Sequence, residues 1–236
     1  MREHPVALAN PTPARRLVAA VVSVLAAPAL LLAPAAVPAG GVLASATAQA
    51  CPDVEVVFAR GTSEPPGIGR VGQALVDQLR PQLGNMTIST YGVNYPATYD
   101  FLTAADGAFD ATSRIVSMSQ QCPSTRIVLG GYSQGAAIVD MLVGVPPLGN
   151  RVGEYGSAPP LPGDVAGNVA AVAVFGNPAR KFGNPVSNAG SYAGKSIDIC
   201  ADGDPICSDG RNPFAHTSYE KTDLVGQAVG FVARRI

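Results

Sequence analysis

The sequence predicts an α/β fold, a three-layer sandwich in which a mainly parallel sheet is covered by helices on both faces. Two observations carry this. Short apolar runs of strand length alternate with longer runs whose apolar residues recur at helical spacing. That order builds parallel sheets, because each parallel strand needs a crossover. The second observation is Gly131-Tyr132-Ser133-Gln134-Gly135, which stands between a strand-like and a helix-like run. That is the setting of a tight strand-to-helix turn with an exposed serine.

The elements follow in order. Asp53–Ala59 reads as a buried strand, with Val54, Val56, Val57 and Phe58 in close succession. Val71–Leu79 has apolar residues at helical spacing and ends near Pro81. Met86–Tyr91 is a second strand and Phe101–Gln121 a long helix. Arg126–Tyr132 is the strand before the turn, and Ala136–Val143 opens the helix after it. Val169–Phe175 and Lys195–Cys200 supply two more strands, and Thr222–Val232 closes the chain as a helix. Sheets of this kind place their sites at the carboxyl ends of central strands, which is where Ser133 falls.

The serine motif directs the search for partners. Glycine two positions to either side of Ser133 avoids collision in a strained turn. The helix behind it offers unpaired N–H groups to a developing oxyanion. The chain has two histidines, His4 and His216. His4 lies in a segment expected to be removed, so the base for Ser133 is His216. Between the two stand Asp140, Glu154, Asp164, Asp198, Asp202, Asp204 and Asp209. Asp140 falls on the helix after the turn and reads as a solvated helix residue. Glu154 and Asp164 sit in a Gly/Pro-rich stretch, and Asp198 lies inside a strand. A triad acid belongs on a loop after a strand, where it orients the imidazole. Asp204 is the choice there, with Asp202 and Asp209 in reserve. The order Ser, Asp, His is that of α/β-hydrolases. The fold expected is therefore a small lidless α/β-hydrolase-type three-layer sandwich.

Four cysteines, Cys51, Cys122, Cys200 and Cys207, allow three pairings. Cys200 and Cys207 flank a Gly-Asp-Pro turn and pair on that ground, which leaves Cys51 with Cys122. Chain entropy assigns about 2–3 kcal/mol to the short loop and about 4 kcal/mol to the long one. Zinc is the rival use of these cysteines, but the spacing is not Cys-x₂₋₄-Cys and no second histidine is available.

Disulfides need an oxidising compartment, and the N-terminus supplies the route. Arg15 and Arg16 precede a long apolar run that ends in small residues, Ala46 to Ala50. This is the pattern of a secretory signal peptide, with cleavage expected after Ala50. Pro28 and Pro34 interrupt the run and argue against a stable membrane anchor. Residues 1–50 carry Arg2, Arg15 and Arg16 against Glu3, a net of +2; the whole chain is −1, so residues 51–236 carry −3. Their basic residues are scattered, which excludes a nucleic-acid surface. Residues 51–236 are long enough for one full core, and the expectation is a single monomeric domain.

Several motifs together resemble a known family. They are Phe58–Glu64 (Phe-Ala-Arg-Gly-Thr-Ser-Glu), Gly130–Gly135, the Cys200–Cys207 segment with Gly203-Asp204, and His216 soon after. Over residues 51–236 the chain resembles the cutinase family of serine esterases, in particular the secreted cutinase-like proteins of mycobacteria and related actinobacteria. The resemblance implies Ser133 as nucleophile, Asp204 as acid and His216 as base. It implies disulfides Cys51–Cys122 and Cys200–Cys207, and an oxyanion hole from the backbone N–H groups of Thr62 and Gln134. Fungal cutinases carry serine at the position of Thr62; the hydroxyl is kept and a methyl is added. No metal or organic cofactor is implied. The substrates expected are esters of short to medium acyl chains, lipids or cutin-like polyesters. An acetylxylan-type carbohydrate esterase is an alternative of the same fold, although the chain has no tryptophan. A secreted binding or antigenic protein with a silent triad is another.

Overall fold

A computed structural model describes residues 50–145 and 156–236. The expected signal segment, apart from Ala50, and Glu154 lie outside the described residues. Five strands form one sheet: β1 Val54–Ala59, β2 Ile88–Gly92, β3 Arg126–Tyr132, β4 Val169–Phe175 and β5 Ser196–Ile199. Their order is β2-β1-β3-β4-β5, and every neighbouring pair is parallel. The helices are α1 Gly69–Leu79, α2 Ala104–Gln121, α3 Gln134–Val143, α4 Pro178–Lys181, α5 Pro213–His216 and α6 Leu224–Ala233.

The period-2 alternation of the strands sorts the core into two layers. Val54, Val56 and Phe58 of β1, with Val128, Ala171, Ala173 and Phe175, pack against Val71, Leu75 and Leu79 of α1 and Val225, Ala228 and Val232 of α6. On the opposite face Val57, Ala59, Ile127, Leu129, Val172 and Val174 meet Ala104, Ala108 and Ile115 of α2 and Ile138 and Leu142 of α3. Both faces of the sheet are covered, so its strands read as continuous apolar runs rather than alternating ones.

The strands and long helices stand within a few residues of their sequence positions. α4 and α5 were not legible in the sequence. Each is a single turn built on an Asn-Pro pair. Asn177 and Asn212 cap them by accepting from the N–H of Ala179 and Phe214. Pro at the first helical position loses nothing there, because that N–H has no helical partner.

Two buried polar groupings lie in this core. Glu55 of β1 is fully buried and faces α2, where Arg114 reaches it with Nη2 at 2.5 Å and Nε at 3.1 Å. Ser89 of β2 donates to the same carboxylate at 3.2 Å. The second grouping overturns an expectation. Asp140 is not a solvated helix residue but fully buried on α3. Its Oδ1 accepts from Asn177 Nδ2 at 3.1 Å, and the same amide nitrogen donates to Asp198 of β5 at 2.9 Å. The helix after the turn is buried along its whole length, so it has no solvated face to offer Asp140. Burial first, then the facing Asp198, pushes the Asp140 carboxyl well above the usual aspartate range, with the Asn177 bond opposing. Asp198 is raised as well, chiefly by burial, against bonds from Val186 N–H and Asn177 and the charge of Arg180.

The pair makes stability pH-dependent with a definite sign. The native state keeps the Asp140 proton above the ordinary value of 3.8 at which the unfolded chain releases it. The stability this carboxyl contributes is therefore full below that value and declines as pH rises toward the folded pKa. Asp140→Asn removes the titration and keeps the shape. Its thermal midpoint relative to wild type is expected to improve as pH rises from about 4 toward neutrality. A gain of about 1 kcal/mol reads as about 2–4 °C in a domain of this size. A wild-type-to-variant gap that stays constant over that range would contradict the assignment.

Candidate active site

Ser133 stands between β3 and α3 with φ 55° and ψ −116°, a region that non-glycine residues adopt only under constraint. The constraint is visible on three sides. Ser133 N–H donates to Phe175 O of β4 at 2.9 Å, and Ala136 N–H donates to Ser133 O at 2.9 Å. A Cβ on Gly135 would run into the carbonyl of Ala59 at the end of β1, and one on Gly131 into the backbone of Gly135. Both glycines of the motif are thus needed for backbone approach, as the sequence suggested, and the requirement at Gly135 comes from a neighbouring strand.

His216 ends α5 and lies against the serine. Its Nε2 is 2.9 Å from Ser133 Oγ, and its Nδ1 is 2.8 Å from Asp204 Oδ2. Burial alone would raise Asp204; hydrogen bonds from His216, Tyr219 and the Ile206 N–H outweigh it and hold the carboxyl below its usual range. An ionised carboxylate only accepts. Nδ1 therefore carries the imidazole proton, and Nε2 is left to accept from the Ser133 hydroxyl. Tyr132 of β3 donates its hydroxyl to the His216 carbonyl at 2.6 Å, and the two rings lie 5.2 Å apart. Gly176, just past β4, makes room: a Cβ there would stand 2.8 Å from the imidazole Cε1.

The remaining carboxylates separate cleanly. Among the described residues, Asp202, Asp209 and Asp164 are exposed, Asp140 and Asp198 are held together by Asn177, and only Asp204 is bonded to His216. Among the described residues all four cysteines are joined, Cys51–Cys122 and Cys200–Cys207. The second bridge encloses Asp204. Cys200, Asp204 and Cys207 lie close together, but neither sulfur is free to be a thiolate, so the cluster does not fit a metal.

Thr62 lies on the loop between β1 and α1, and its Oγ1 donates to Gln134 Oε1 at 3.1 Å. That loop is fastened by residues whose roles the sequence alone did not reveal. Glu64 accepts from Gly61 N–H at 2.7 Å and from Arg70 N–H at 3.0 Å. Arg60 is buried and spends its guanidinium on the carbonyls of Glu64, Val93 and Tyr95. Tyr95 returns its hydroxyl to Arg60 O. The only early sign was the quoted run Phe58–Glu64, in which a charged residue sits directly after an apolar strand.

A family model described as Cutinase matches residues 50–236. The chain is 50% identical over 224 residues to Phospholipase Culp4 of Mycobacterium tuberculosis, covering 94% of this chain and 93% of that one. It is 42% identical to Carboxylesterase Culp1 of the same species, covering 92% and 94%. Among solved structures an acetylxylan esterase superposes with a TM-score of 0.69 at 27% identity, over 79% of this chain and 99% of the other.

The two bridges differ in what they hold. Cys200–Cys207 spans a separation of 7 residues around Asp204, whereas Cys51–Cys122 spans 71 and ties α2 to the start of β1. Replacing Cys200 and Cys207 by serine is expected to lower ester turnover more, per degree of thermal midpoint lost, than replacing Cys51 and Cys122. The long loop carries the larger entropy, so the second variant should lose more stability, by about 2 kcal/mol on chain entropy alone. Measuring midpoint and turnover on both double variants checks the order.

Proposed function

We propose, from the premise that this chain belongs to the cutinase family and is a carboxylic ester hydrolase, that it works through a Ser133–His216–Asp204 triad and an acyl-enzyme. One observation carries the reading: a single imidazole bridges the strained serine at 2.9 Å and a buried, ionised aspartate at 2.8 Å. Ser133 Oγ attacks the ester carbonyl while His216 Nε2 takes its proton. Asp204 keeps the imidazole in the required tautomer and stabilises its charged form. The oxyanion meets the N–H groups of Gln134, at the open start of α3, and Thr62. Each such donor is typically worth about 3–4 kcal/mol in the transition state. His216 then protonates the leaving alcohol, and water cleaves the acyl-enzyme by the reverse proton path.

The proposed substrates are acyl esters of short to medium chain, including lipids. The names of the relatives, a phospholipase and a carboxylesterase, support this. So does the surface near the site. Tyr99, Leu102, Ile206 and Phe214 are exposed on segments that leave the carboxyl ends of β2 and β5, the edge at which β3 delivers Ser133. A second reading, deacetylation of a carbohydrate polymer, is favoured by the structural likeness to an acetylxylan esterase. A chain-length series of p-nitrophenyl esters set against acetylated xylan separates the two. We further propose that residues 1–50 are a cleaved secretory signal and that residues 51–236 are one extracellular catalytic domain. The two disulfides support an oxidising destination. The compact unit spans Ala48–Ile236. Among the described residues no helix is long and apolar enough to cross a membrane.

Ser133→Ala is expected to lose ester hydrolysis by about 10⁴-fold or more while the thermal midpoint holds. A serine-reactive phosphonate should label Ser133 alone. Asp204→Asn is expected to cost up to about 10⁴-fold, the loss seen when asparagine fixes the wrong imidazole tautomer. Asp202→Asn and Asp209→Asn, both at exposed positions, should be mild. Near wild-type turnover in Ser133→Ala would remove the mechanism; a severe Asp202→Asn would move the acid.

A further inference from the structure

We infer that Tyr219 is a positioning residue of this triad: its hydroxyl shares Asp204 Oδ2 with His216 and so sets how strongly the carboxylate draws on the imidazole. The inference rests on the triad reading above. Tyr219 lies three residues past His216, in a 3-10 turn spanning Tyr219–Lys221, and is fully buried. Its hydroxyl is 2.6 Å from Asp204 Oδ2 and 2.9 Å from the Ala201 N–H. Cys207 Sγ of the enclosing disulfide is 3.4 Å away.

The direction of the proton follows from the partners. Ala201 N–H only donates, so it occupies a lone pair on the phenol oxygen. Asp204 is ionised and only accepts. The phenol proton therefore points at Oδ2. Burial first, then the bond to Asp204, holds the Tyr219 hydroxyl far above its ordinary range, so it stays a neutral donor. Oδ1 is taken by Ile206 N–H at 2.7 Å, which leaves Oδ2 to be divided between His216 and Tyr219. Two donors on one oxygen draw on the same charge. With the phenol removed, the carboxylate interacts more strongly with imidazolium than with neutral imidazole, and the base becomes harder to deprotonate.

Other charged groups near the triad are accounted for and would persist in a Tyr219 variant. Arg70 is paired with Glu64 and Glu220 and donates to Thr217 O. Lys181 donates to Pro205 O, beside Asp204. Tyr132 holds the His216 carbonyl. The Tyr219 ring itself packs edge-on against Phe175 at 6.0 Å and Tyr132 at 5.8 Å, contacts that phenylalanine keeps.

The test is kcat and KM as functions of pH on a soluble p-nitrophenyl ester, for wild type, Tyr219→Phe and Tyr132→Phe. A fourth protein carries 3-fluorotyrosine at position 219, a stronger donor of nearly the same size. In Tyr219→Phe the acid limb of kcat/KM is expected to move up by about half to one pH unit. Its plateau kcat should stay within about threefold of wild type with KM nearly unchanged, because the more basic imidazole still takes the serine proton once it is neutral. The fluorotyrosine protein should move the limb the other way. Tyr132→Phe loses a bond to a carbonyl rather than to the carboxylate, so its limb should stay in place even if its stability falls. A Tyr219→Phe limb that coincides with wild type overturns the inference, whatever happens to its midpoint; so does an equal displacement in Tyr132→Phe. Should Tyr219→Phe not fold, the fluorotyrosine protein decides alone, and an unmoved limb there overturns the inference. Failure of the triad reading itself looks different, because the wild type would then show no phosphonate label on Ser133.

Discussion

The position of Ser133 depends on one steric fact, the passage of Gly135 beneath the last carbonyl of β1. No side chain fits between Gly135 and the Ala59 carbonyl. The first turn of α3 can therefore press against the sheet, and the chain leaving β3 must turn within one residue. That turn puts Ser133 at φ 55°. It also aims the open end of α3 at the space above the serine, where N–H groups without helical partners are available. The same approach brings the Thr62 loop, which continues from β1, within hydrogen-bond reach of Gln134. Ser133, the helix end and the facing loop are thus placed by a single contact between neighbouring parallel strands, and the five-stranded order β2-β1-β3-β4-β5 is what makes β1 and β3 neighbours.

The histidine side is built differently. Here short irregular segments do the work, and polar bonds tie them down beside the core packing of Ala201 and Tyr219. Asn212 caps the turn that carries His216, Tyr132 fixes its carbonyl, and Gly176 leaves space for its ring. The Cys200–Cys207 bridge closes the loop that carries Asp204. Strain at Ser133 is supported by the sheet, whereas the position of Asp204 is supported by a cross-link and by buried hydrogen bonds, whose loss leaves unsatisfied groups and is correspondingly costly.

Buried charge recurs in this fold, and each instance is handled by its own partners. Glu55 has Arg114, Arg60 has three backbone carbonyls, and Asp140 shares an amide with Asp198. Among the described residues Asp140 has no cation in contact, and its carboxyl keeps its proton above the usual aspartate range. Removing one partner of the Glu55–Arg114 ion pair strands the other, which makes it a poor place for casual substitution.

How much of this was legible in the sequence follows from the range of each interaction. The strands and long helices were readable because burial on both sheet faces and helical periodicity are local patterns. The Gly-x-Ser-x-Gly turn was readable because its strain is relieved by residues two positions away. Ser133 and His216 followed from a short motif and from the scarcity of histidine, and the pairing of Cys200 with Cys207 from their closeness in the chain. What only the tertiary structure decided is everything that depends on segments meeting from far apart. The sequence left Asp204 a choice among three neighbouring aspartates; the fold buries one and exposes the other two. Asp140 looked like a surface residue because helical periodicity cannot register a helix that is enclosed on every side. Arg60 showed only as a charge after an apolar strand, and Asn177 and Tyr219 carried no signal, since their partners lie on other elements and a hydrogen bond across the fold leaves no periodic trace in the chain.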